Sequence, residues 1–116
     1  MKLILRAVHY RAGARMQRFV ESQLGEPLEL FLPEPAAELN VILRDKNGPR
    51  GGQDKECSVT VVIPGAPPLH LVEVTDDMYK SVHLMRDRVE RAVRKFLERR
   101  RDHSHEGPPA ESLGGL

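Results

Sequence analysis

The chain has 116 residues, a formal net charge of +1, 40% hydrophobic content and only 4% aromatic residues, with no Trp. That length suits one domain with a modest core, and so small a net charge excludes a polycation that holds its partner by sheer abundance of charge. With so few rings, readers that stack many single-stranded bases are excluded too, and any nucleic-acid contact is expected mainly at phosphates.

A single cysteine, Cys57, rules out an internal disulfide and fits a reducing cytosol. It falls in an alternating pattern and reads as a small buried apolar residue rather than a catalytic thiol. The opening MKLILRAVHY has a short apolar run broken at Arg6, which makes neither a signal peptide nor a membrane span. The expectation is a soluble protein of the cytoplasm.

Residues 2 to 9 alternate, with Leu3, Leu5 and Ala7 opposite Ile4, Arg6 and Val8, and predict a first strand. From Ala12 to Leu24 the spacing of Met16, Phe19, Val20 and Leu24 is helical, with Arg11, Arg15 and Arg18 toward the other side. Gly25 and Pro27 oppose simple continuation, so Glu26 to Phe31 reads either as a separate turn or as a kinked extension. ELNVILRD at 38–45 and CSVTVVI at 57–63 alternate clearly and predict two more strands. The loop KNGPRGGQDKE between them is too long for a two-residue hairpin and carries Lys46, Arg50 and Lys55. After the PGAPP turn at 64–68, LHLVEVT at 69–75 predicts a fourth strand.

The last helix is read from Asp76 to about Arg101. Tyr79, Val82, Met85, Val89, Val93 and Phe96 recur at steps of three or four and form a core stripe, while Lys80, Arg88, Arg91, Arg94 and Lys95 lie roughly opposite. Thr75, Asp76 or Asp77 can cap its start, and Arg99, Arg100 and Arg101 suit its negative end. From Lys80 to Arg101 nine Lys or Arg face three acids, an excess of one sign that a merely solubilising helix does not need. The order βαβββα predicts a two-layer α+β domain over 1–101, a four-stranded sheet with two helices packed on one face. Residues 102–116 lack any period and read as a disordered tail.

Several chemistries find no support. NGPRGG at 47–52 is followed by a strand rather than a helix and lacks Lys-Ser or Lys-Thr, so it is no phosphate-binding P-loop. His103 and His105 have no third or fourth ligand nearby, and His9, His70 and His83 are scattered; no metal site is expected. No nucleophile, base and orienting acid share a spacing that predicts a cluster, so no catalytic residue and no cofactor are expected.

With Asp77, Met78 and Tyr79 at the helix start, Val82 after them, and Arg88, Arg91 and Lys95 along it, the chain resembles the bacterial ribosome hibernation factors. This is the family of the hibernation-promoting factor and ribosome-associated inhibitor A. The order βαβββα agrees, and Asn47 to Cys57 is similar to a loop of a shorter subgroup. The likeness spans about residues 1 to 101, its specific part being the last third. The chain departs from the family pattern at His83, at Lys80 or Ser81, and at the Gly25 and Pro27 interruption.

The resemblance implies binding of the small ribosomal subunit and its rRNA in the channel used by messenger and transfer RNA, blocking translation under stress without turnover. No DNA or membrane partner is implied, nor ribosome dimerisation through an own C-terminal domain. The residues expected to carry RNA contact are Lys80, Arg88, Arg91, Arg94, Lys95 and Arg99, with Arg15 and Arg18 beside them and Lys46, Arg50 and Lys55 as a second contact. The rival readings are a generic double-stranded RNA binder and a module docking an acidic regulatory protein.

Overall fold

A computed structural model describes residues 1–46 and 54–106. Four strands form one sheet in the order β1 (Lys2–Val8), β2 (Glu38–Asp45), β3 (Lys55–Val62), β4 (Leu69–Thr75). β1 lies parallel to β2, and the other neighbours are antiparallel. Between β1 and β2 the chain is helical from α1 (Ala14–Val20) through a π turn at Glu21–Gly25 into α2 (Glu26–Phe31), and the long α3 (Met78–Glu106) follows β4.

The register puts Leu3, Leu39, Val61 and Leu69 in one row, and Leu5, Val41, Val59 and Leu71 in the next. These residues share a sheet face, and the central ones are sealed: Leu39, Val41, Leu43, Cys57 and Val59 have no exposed surface. Met16, Val20, Leu24 and Leu28 from the first helical run and Val82, Met85, Val89 and Val93 from α3 complete this single core. Both helical layers therefore cover one face, as the alternation predicts. The other face, with Ile42, Thr60, Val62, His70 and Val72, is left open, Val72 being exposed.

Gly25 and Pro27 do not end the first helical run. The N–H of Glu26 bonds the carbonyl of Glu21, five residues back, one position before the proline. In a regular α-helix the Pro27 ring would meet the carbonyl of Gln23, and the wider π turn relieves that clash. It also corrects phase. A series spaced by four, Met16, Val20, Leu24, Leu28, drifts around an α-helix, and extra residues in one turn bring it back onto the core. Leu3 Cδ2 lies 3.4 Å from where a Cβ on Gly25 would stand, so the run rests directly on β1.

Of the three candidate caps of α3, Asp77 serves: its Oδ1 accepts the N–H of Tyr79 at 2.9 Å, and Thr75 Oγ1 accepts the N–H of Asp77 at 3.1 Å. At its far end α3 runs to Glu106, five residues beyond the expected stop at Arg101. Its 29 residues span about 44 Å, against about 25 Å for strands of seven or eight. The helix therefore overhangs the sheet.

Candidate nucleic-acid interface

Because the stripe Val82, Met85, Val89, Val93 is consumed by the core, the residues between those positions must face outward. Lys80, Arg91, Arg94, Lys95 and Arg99 are all exposed. Arg88 sits at the rim, where its Nη1 donates to the Val72 carbonyl oxygen and to Glu73 Oε2 at 2.9 Å. This guanidinium clamps α3 onto the edge strand β4 while its side chain stays 41% exposed.

Arg88, Arg91 and Lys95 surround a shallow depression of about 190 Å3 whose fourth wall is Ala92. The arrangement follows from spacing: 88, 91, 92 and 95 are neighbours on a helix surface. Small Ala92 is the residue that sequence reasoning missed. Its signal was present, a methyl group at i+4 from one cation and i−3 from another, where a long side chain would fill the space. Arg91 and Lys95 make no ion pair among the described residues, so their charge is available to a ligand. Arg94 instead reaches Glu90 Oε2 at 2.9 Å, one turn back.

The cations of the first helix stand on the other flank of α3. The Arg15 guanidinium lies 5.6 Å from the Tyr79 ring centre, and Tyr79 meets Phe19 edge-on at 5.0 Å. Arg15 thus touches α3 at its first turn, across the ridge from Arg88, and Arg18 is exposed on the same helix. Packing two helices on one face brings these groups onto one molecule side, but not into one basin.

The expected second contact is largely engaged elsewhere. Lys55 Nζ lies 2.8 Å from Asp54 Oδ1 and 3.4 Å from Asp45 Oδ1, and its side chain is only 20% exposed. The Asp54 hydrogen bond, helped by Asp45, raises the Lys55 pKa above its ordinary 10.5. Lys46 Nζ pairs with Glu56 at 3.0 Å, and Arg44 approaches the same carboxylate at 3.7 Å. Glu56 alternates with core-facing Cys57, which puts this cluster on the open sheet face, away from the helices. Arg50 lies outside the described residues.

Cys57 is not a ready nucleophile. Burial pushes the Cys57 thiol up to about 12, with Glu73 and Glu56 adding to the shift. Among the described residues no three His, Cys, Asp or Glu side chains gather as metal ligands, and no helix is long and apolar enough to cross a membrane.

Fold and surface together define a small α+β domain with a row of exposed cations along one long helix. The model of the family described as sigma 54 modulation protein / S30EA ribosomal protein matches residues 3–101, and the chain belongs to that family of ribosome-associated modulation proteins. Similar solved structures agree in fold. The N-terminal domain of Protein Y from Thermus thermophilus superposes with a TM-score of 0.67 at 18% identity, covering 83% of this chain and 99% of that one. A ribosomal subunit interface protein from Coxiella burnetii gives 0.64 at 18% identity, covering 84% and 99%. No curated protein sequence matches the chain.

Proposed function

We propose that this protein is a ribosome hibernation factor, which binds the rRNA of the small subunit in the channel for messenger and transfer RNA and so halts translation in the cytoplasm under stress. The observation that carries the reading is the shallow depression lined by Arg88, Arg91 and Lys95 around Ala92, on a helix held by its buried stripe. Family membership and the likeness to a ribosomal subunit interface protein support the partner.

The chemistry is phosphate recognition. Folded rRNA presents phosphates in fixed positions, and a stiff helix with outward Arg and Lys matches such an array without reading bases. What each cation already holds ranks its contribution. Lys80, Arg91, Lys95 and Arg99 come first, Arg88 and Arg94 share their charge with Glu73 and Glu90, and Arg15 and Arg18 form a separate patch. Lys46 and Lys55 contribute least, since leaving their carboxylates offsets what a phosphate returns. Inhibition is steric and needs no turnover.

Co-sedimentation with small subunits and whole ribosomes, with and without messenger and transfer RNA, at two salt concentrations, tests this. The expected result is salt-sensitive binding that the channel ligands displace. Absence of binding at low salt, or equal affinity for any RNA duplex, overturns the reading.

A further inference from the structure

Where α3 passes beyond the sheet, its core-facing side has no strand left to cover it. Phe96 and Leu97 are the last large apolar residues on this side of the helix and are only half-buried, and Arg99 and Arg100 follow them. Opposite them stands the turn between β3 and β4, closed by the Ala66 N–H bonding the Ile63 carbonyl at 3.1 Å. Gly65 adopts φ +78 there, with nothing within 4 Å of where a Cβ would lie. Together Gly65, Ala66, Pro67, Phe96, Arg99 and Arg100 line an open groove of about 440 Å3 with a mainly apolar lining.

We infer that this groove takes one unpaired nucleotide of the bound RNA, its base between Phe96 and Pro67 and its phosphate on Arg99 and Arg100. The assignment rests on the RNA-binding reading above and deepens it. Two features of the groove select this occupant. An apolar slot with arginines at one edge fits a ligand that joins a flat apolar body to an anion, which a nucleotide does. The slot also continues the row of cations: Arg99 follows Lys95 and Arg91 at helical spacing, so a strand tracked by its phosphates along α3 arrives at the groove. Neither Arg99 nor Arg100 makes an ion pair or hydrogen bond among the described residues, so both are free to receive that phosphate. A chain too poor in rings for a stacking platform thus keeps one stacking position, at the end of a phosphate track.

The test is fluorescence anisotropy with two labelled single-stranded RNAs of equal length at one salt concentration, an ordinary oligonucleotide and its fully abasic counterpart, with an acidic Phe-containing peptide as competitor. The ordinary strand is expected to bind about five- to 150-fold tighter, the range for one stacked base. Phe96→Leu, which keeps apolar volume, removes that preference and leaves affinity for the abasic strand unchanged. Pro67→Ala, at an exposed position, lowers the preference by itself and serves if Phe96→Leu loosens the helix. Equal affinity for both strands, or a preference untouched by both variants, overturns the groove assignment, as does binding of the peptide to the groove without loss of the base preference. If the abasic strand and the small subunit both fail to bind at low salt, the phosphate-binding surface itself is refuted, a separate outcome.

Discussion

Replacing Arg91 and Lys95 by Gln removes two cations that hold nothing else among the described residues. If each touches one phosphate, counterion release makes its share of log K about 0.7 to 0.9 per decade of salt. Relative to 1 M salt, two lost contacts at 0.1 M weaken ribosome binding by about 25- to 60-fold, and the salt slope falls by about 1.4 to 1.8. The fold should not notice. Both side chains are exposed, and substitutions at such positions stay within about 0.5 kcal/mol, a shift of roughly 2 to 4 °C in Tm for a domain of this size. The assay is small-subunit binding at four salt concentrations, with thermal unfolding in parallel. A folded double variant with the wild-type salt slope refutes the placement of RNA on this face.

Two further outcomes concern the interior. Ser81 is fully buried; its hydroxyl donates to the Lys55 carbonyl at 2.6 Å and lies 2.7 Å from Thr75 Oγ1. Ser81→Ala takes a donor from a part-buried carbonyl and a partner from the buried Thr75 hydroxyl and is expected to cost about 1 to 3 kcal/mol in urea unfolding, with no effect on RNA affinity once folded. Cys57 makes the domain alkali-sensitive. The unfolded thiol ionises from its ordinary 9.0 while the folded one keeps its proton to about 12. Stability is therefore intact below about pH 9 and falls by about 1.4 kcal/mol per pH unit on the way to 12. Lys55 and Tyr10, both raised in the fold, act in the same direction at higher pH, but they are present in Cys57→Ala as well. The difference in slope between the two proteins isolates the thiol, and parallel slopes contradict its burial.

The strands were legible because alternation in ELNVILRD and CSVTVVI maps directly onto one sealed face. The core stripe of α3 was legible for the same reason at helical period. The π turn was not. Gly25 and Pro27 are local stop signals, whereas what keeps the chain helical is the burial of Leu24 and Leu28 against a core built from distant segments. The end of α3 escaped because a helix needs an apolar stripe only where something covers it, so loss of period at Arg101 marked the end of packing rather than of helix. Lys55 looked like a loop cation because its partner Asp45 lies directly opposite it across the β2–β3 pair, a relation that strand register creates and sequence spacing hides.

The same pairings bear on the proposed RNA binding by a chain of net charge +1. At three places away from α3, acids stand beside the bases: Glu56 between Arg44 and Lys46, Asp45 and Asp54 around Lys55, Glu29 near the N-terminal amine. Each such cluster cancels its own field within a Debye length, about 8 to 10 Å at moderate salt. Along α3 the balance differs, since Arg91, Lys95, Arg99 and Arg100 have no carboxylate partner among the described residues. The potential is thus concentrated on one ridge, and that ridge extends past the body of the domain. On the reading proposed above, a polyanion is drawn chiefly to that ridge, with the Arg15 and Arg18 patch on its other flank, so affinity depends on where the cations stand rather than on total charge.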